Sequence, residues 1–389
     1  MPDLPWSDLS LRLDKPGGNM WEVHYDALAR KEAGDDIILL SIGDPDFDTP
    51  AYISEYVIAQ INAGRTHYSP AAGEPALRAA IANLETLNVG YDISPDQVVI
   101  FPGGTATLFA TMACILNPGD GVVIPEPMYV GYHGITEALG ADCQSVPLGQ
   151  PDFQLNVANV MDRVTATTKA VLVNTPGNPC GNMIPADVLS ELAAACRARN
   201  LWLICDEVYS LITYEDQHRS LLNCTDDLHN LVVVDGLSKS HAMSGWRVGW
   251  AVTSLNMSTA LTRLSGAAFF GTSQFVQDAA AYALANDAAD VEAMRKEYQA
   301  RRDYVVSRLN QVPGLALSTP RGGMFVMIDV SGTGANGQTF SRGLLDAHGV
   351  AVLPGNCFGD SANNYVRCSL TEPVPVLGEA MQRIAAYCS

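Results

Sequence analysis

Short apolar runs alternate with stretches of helical periodicity through the middle of the chain. The runs at 97–101, 122–124, 170–173, 201–205, 231–234 and 247–252 read as strands, mostly with helical stretches between them. Short apolar strands separated by helices predict a largely parallel sheet covered on both faces. Helices are expected at 74–88 and at 105–116, the second stopping at Asn117-Pro-Gly119. Thr49 and Pro50 read as the cap and first position of a helix running to about 63, after which 64–73 breaks the pattern. The first forty residues look polar and irregular apart from a helical piece at 21–32 and a strand at 37–40.

The rhythm changes after a long amphipathic helix over 288–310, which ends at Val312-Pro-Gly314. A strand at 323–329, a Gly/Ser-rich loop at 331–337, a helix at 338–348, short strands near 350–353 and 364–370 and a final helix predict a smaller α+β domain. The expected division is a large α/β domain over 45–290 and a small domain built from 1–44 with 291–389. A chain of 389 residues exceeds what one core usually serves, which agrees with two domains.

With 48% hydrophobic residues the chain should fold rather than remain disordered. A net charge of −19 argues against nucleic acid and anionic membranes as partners. The nine cysteines are scattered singly, so neither a disulfide framework nor a metal site is expected and a reducing cytoplasm is the natural compartment. The N-terminus lacks the form of a signal peptide, and no apolar run reaches transmembrane length.

In open parallel sheets ligands sit at the carboxyl ends of strands, and the chemically suggestive residues fall there. Lys239 follows the run 231–234. A lysine buried at a strand end loses its proton readily, and a neutral amine can condense with an aldehyde. Asp206 ends the run 201–205, where a buried carboxylate needs a cation or serves only as a helix cap. Gly103-Gly104-Thr105 joins a strand to a helix, leaving backbone N–H groups to face an anion. Each feature alone is more often structural than functional.

Read together, the stretch Ser238-Lys239-Ser-His-Ala-Met-Ser-Gly-Trp-Arg247 resembles the lysine segment of class I (fold type I) pyridoxal-phosphate aminotransferases, with Ser244 in place of the usual threonine. The resemblance extends to Asp206 and Tyr209, to Asn174-Thr-Pro-Gly-Asn178-Pro-Cys-Gly181, and to Asn364-Tyr-Val-Arg367. It implies a large domain with a mostly parallel seven-stranded sheet, and pyridoxal 5'-phosphate as cofactor. Lys239 is then its anchor, Asp206 its ring-nitrogen partner, and Tyr209 and Asn178 donors to its phenolic oxygen. Tyr129 would stack on the ring, while Gly103, Gly104, Thr105, Ser238 and Arg247 would hold the phosphate. Gly236 stands where many relatives carry a further phosphate-binding serine.

Arg367 is implied as the grip on the substrate α-carboxylate, and Gly43, with Asn178, as a close neighbour of the substrate. Tyr68 matches a residue that reaches the phosphate of a neighbouring subunit, which implies a homodimer with shared sites. The implied reaction moves an amino group from an L-amino acid to a 2-oxo acid. The wording at 21–30, 40–50, 126–129, 237–243 and 322–327 looks most like the branch acting on arginine and pyruvate. Aspartate, alanine or aromatic specificity, or a lyase acting at Cβ or Cγ with the same cofactor, are the alternatives. His241, two residues beyond Lys239, reads as a packing residue.

Overall fold

The computed structural model describes residues 5–13, 21–225, 227–286 and 288–389. Its main sheet has seven strands in the order Val98–Phe101, Gly249–Thr253, Leu231–Gly236, Trp202–Asp206, Thr168–Asn174, Gly121–Glu126 and Asp142–Pro147. Gly249–Thr253 is antiparallel to both neighbours, and the remaining pairs are parallel. Along Leu231–Gly236 successive side chains enter opposite layers. Leu231 and Val233 join a core with Leu189, Leu192 and Leu203, whereas Val232 and Val234 join one with Leu108, Met112 and Leu261. Two covered faces are the reason the run is apolar throughout.

A three-stranded antiparallel sheet places Tyr365–Ser369 between Leu353–Pro354 and Phe325–Asp329. Beside it Ile38–Leu39 pairs in parallel with Val350–Ala351, which ties the early chain to its last hundred residues. The helices Ala288–Leu309, Gly337–His348 and Val374–Tyr387 surround a core that includes Tyr298, Val305, Phe325, Leu344 and Leu377. The Tyr209, Ile212 and Tyr214 side chains also enter that core from the segment after Trp202–Asp206. The two layers therefore meet beside the strand end that carries Asp206.

Four expectations need correction. Pro50, not Thr49, caps the helix Ala51–Asn62, and no side chain bonds its first turn. The Thr49 hydroxyl instead donates to the Ala242 carbonyl at 2.6 Å and accepts from Trp246 Nε1 at 2.9 Å, clamping the 41–50 loop to the lysine segment. The first forty residues include a helix, Asp8–Leu13, where irregular chain was expected. Arg12 holds it by donating to the Glu137 and Ala138 carbonyls at the end of Val130–Leu139, where the helix dipole favours a cation. Residues 1–4 and 14–20 of that early stretch lie outside the described residues. Asp142–Pro147 is a strand that its polar composition concealed, paired on one side only at the sheet edge. Finally, the strand expected from Arg247 starts at Gly249.

Candidate active site

The parallel strands deliver Phe101, Asn174, Asp206 and Gly236 to one edge of the main sheet. A cleft of about 350 Å³ opens above it, walled on the far side by Phe325 and Arg367. It is lined by eleven of the residues singled out in the sequence: Gly43, Gly104, Thr105, Tyr129, Asn178, Asp206, Tyr209, Ser238, Lys239, Arg247 and Arg367. Gly103 is not among the lining residues but sits beside Gly104, against the Arg247 guanidinium. Tyr68 is elsewhere: it is 80% exposed and meets Phe270 edge-on at 4.8 Å. A larger opening of about 790 Å³, around Glu85, Glu207 and Asp235, contains none of the thirteen.

Lys239 sits in the turn after Leu231–Gly236, and its Nζ donates to the Gly43 carbonyl at 2.7 Å. Burial lowers its pKa to about 8; Arg367 and Arg247 push the same way, against the charges of Asp44 and Asp206. The amine is thus far closer to neutrality than a surface lysine. Gly43 can approach only because it has no side chain, since a Cβ there would overlap the Phe325 ring. Two non-glycine residues of the lysine segment, Ala242 and Arg247, have φ of 51° and 57°. Such left-handed conformations cost about 1 kcal/mol or more each, and they persist where the surroundings over-determine them.

The turn at Arg247 explains the late start of the next strand. It aims the guanidinium back at Gly103, and Nη1 donates to the Ser244 carbonyl at 2.6 Å. Gly103 has φ +95° and caps the helix Gly104–Ile115; any side chain there would strike the Arg247 guanidinium. The first N–H groups of that helix have no intrahelical acceptor, so they and Arg247 form a cradle for an anion. At Gly236 a Cβ would come within 2.9 Å of the Val248 carbonyl oxygen, so this backbone leaves little room for a side chain there.

Asp206 is 4% exposed. Burial raises its pKa to about 6, although Tyr132 and the Val208 N–H hold it down. The Tyr132 hydroxyl donates to Oδ2 at 2.7 Å, and the Val208 N–H reaches Oδ1 at 3.3 Å. Tyr132 was missed in the sequence because it reads as ordinary core; its signal was its nearness to Tyr129, which caps the same helix and whose ring it meets edge-on at 5.4 Å. No cation is hydrogen-bonded to this carboxylate among the described residues.

Arg367 is 2% exposed and stacks over Phe325 and Phe358 at 4.1 and 4.9 Å from the ring centroids. Nη1 donates to Asn178 Oδ1 at 3.0 Å and Nη2 to the Ser41 carbonyl at 2.7 Å. Its Nε has no acceptor, and no carboxylate pairs with it among the described residues. Burial pulls its pKa down to about 10. The Asn178 amide oxygen is committed to Arg367, which leaves its NH₂ for another partner, and the same side chain bonds the Tyr209 hydroxyl. Tyr129 is bonded to Thr105, and burial raises its pKa.

A sheet-edge cleft with a depressed lysine, an anion cradle, a buried acid and an unpaired arginine suits chemistry on an anionic, amine-reactive cofactor. A model of the aminotransferase class I and II family matches residues 35–384, and the chain belongs to that family. It is an aminotransferase, moving an amino group from an amino acid to a 2-oxo acid. Among relatives, it is 42% identical over 381 residues to the arginine–pyruvate transaminase AruH of Pseudomonas aeruginosa, covering 98% of this chain and 97% of that protein. It is 33% identical to an aspartate aminotransferase of Pyrococcus horikoshii, with 90% of each chain covered. The aspartate aminotransferase of Thermus thermophilus, solved with maleate, superposes with a TM-score of 0.93 at 31% identity, covering 99% of this chain and 100% of that one.

Proposed function

We propose that this chain uses pyridoxal 5'-phosphate to transfer the amino group of L-arginine, or another basic amino acid, to pyruvate. The 42% identity to the Pseudomonas aeruginosa enzyme supports the substrates. The observation that carries the chemistry is the pair formed by a buried lysine lowered to about 8 and a buried arginine with an orphaned Nε in one cleft. The residues present fit the cofactor. Asp206 is a buried acid for which a protonated ring nitrogen would be the missing cation, and the Gly103 turn with Arg247 and Ser238 would receive a phosphate.

The bound cofactor supplies an aldehyde carbon that takes up the amino group and a ring that draws electrons from the donor's Cα. Lys239 would hold that carbon, and its amine, shifted towards neutrality, would move the proton at the donor Cα. Arg367, already oriented by Asn178 and Ser41, would fix the donor α-carboxylate. Asp206, steadied by Tyr132, would keep positive charge on the ring nitrogen. Tyr209 and the remaining N–H of the Asn178 amide would hold the ring oxygen, and Tyr129 would support the ring.

The same reading makes the enzyme a homodimer in which the exposed Tyr68 of each chain completes the partner's phosphate site. The sheet connectivity supports a division near residues 45 and 290. Among the described residues no helix is long and apolar enough to cross a membrane. The test is a donor panel on the cofactor-loaded protein. L-arginine with pyruvate is expected to react faster than L-aspartate with 2-oxoglutarate, and the reverse order overturns the substrate assignment.

A further inference from the structure

Among the described residues two carboxylates line the cleft, in different circumstances. Asp206 lies at its floor and accepts from Tyr132 and the Val208 N–H. Asp44 lies on its wall, one residue from the Gly43 carbonyl that receives Lys239 Nζ. Its side chain is exposed, and among the described residues it takes part in no hydrogen bond or ion pair. It lines the cleft beside Gly43, and its charge acts on Lys239. Asp46 of the same loop differs, bound at both oxygens by Arg301.

Among the described residues the cations lining the cleft are Lys239, Arg247 and Arg367. Arg247 is turned to the Gly103 cradle and Arg367 is the natural grip for an α-carboxylate. Among the described residues of one chain, the cleft wall thus shows no further cation for a second carboxylate of a substrate, whereas a positive side-chain tip would find Asp44 free. Trp21 and Ile42 line the same wall and offer apolar surface to a methylene stem.

We propose that Asp44 determines donor specificity, its carboxylate receiving the guanidinium or ammonium at the tip of a basic amino-acid donor. This rests on the arginine reading above and adds the residue that enforces it. A carboxylate on a guanidinium forms paired charge-assisted hydrogen bonds, which a neutral isostere cannot match.

The test compares L-arginine with L-citrulline, nearly the same shape without the charge, as donors to pyruvate in the cofactor-loaded wild type, Asp44→Asn and Asp44→Glu. The readout is the ratio of the two kcat/KM values, because any change in Lys239 caused by losing the Asp44 charge acts on both donors alike. The ratio should fall about tenfold or more in Asp44→Asn, the size of one charged hydrogen bond, and recover at least partly in Asp44→Glu. A wild type that prefers arginine, with an unchanged ratio in Asp44→Asn, overturns the role of Asp44 alone. A wild type that prefers citrulline overturns the arginine reading and Asp44's role with it.

Discussion

Arg301 and Arg302 are as buried as Arg367, at 3%, 1% and 2% exposed, yet they live in a different chemical setting. Arg301 grips both oxygens of Asp46 at 2.7 and 2.9 Å and adds Glu297, while Arg302 takes both oxygens of Glu215 and stacks on Tyr214 at 4.5 Å. Burial opposes their charge, but the carboxylates outweigh it and hold both pKa values up. Arg367 has carbonyl oxygens and aromatic faces in place of carboxylates, and its pKa falls. The first pair fastens the helix Ala288–Leu309 to its surroundings. Arg367 instead keeps an anion's place in a dry wall, at a cost in stability.

The largest expected effect follows from that contrast. Arg367→Gln should lower kcat/KM for the amino donor about a thousandfold, ~4 kcal/mol, the scale of stripping a buried charge pair of one partner. Its melting temperature should stay level or rise, since the unpaired cation is gone. Arg302→Ala should do the opposite: it costs about 2 kcal/mol in a denaturant titration, discounted because Glu215 is half exposed, and leaves kcat per folded molecule near wild type. Exchanged results would erase the distinction between the two kinds of arginine.

A smaller effect sharpens the contrast at the lysine. Lys239 has a folded pKa near 8, below its ordinary 10.5, so between those values the unfolded chain binds more protons and stability rises with pH. Cofactor-free Lys239→Met should lack that rise. It should be more stable than wild type at pH 7 by about 1–3 kcal/mol, with the difference shrinking as pH climbs through 8 to 10.5. Parallel curves for the two proteins would mean that the amine is not held in the cleft.

The parts of this site that were legible in the sequence are those carried by local patterns. The run 231–234 is apolar at every position because both of its faces are covered, so the strand before Lys239 and the placement of the lysine at its end could be read directly. Residues whose purpose depends on distant chain could not be. Tyr132 reads as core until Asp206, 74 positions later, is seen beside it. Thr49 has the sequence of a cap but meets Ala242 and Trp246 across the cleft. The left-handed turn at Arg247 is invisible in a motif, because tertiary contacts with the Gly103 turn impose it. Asp142–Pro147 has too few apolar residues to be read as a strand, being held by one neighbour at the sheet edge.

The central claim is that Lys239 carries the cofactor in this cleft, and chemical trapping tests it most directly. The protein loaded with pyridoxal 5'-phosphate is reduced with borohydride, digested and weighed by mass spectrometry. The account predicts a single pyridoxyl-phosphate addition, on the peptide that contains Lys239, and none in Lys239→Ala. The addition on another lysine, or its persistence in Lys239→Ala, would contradict it.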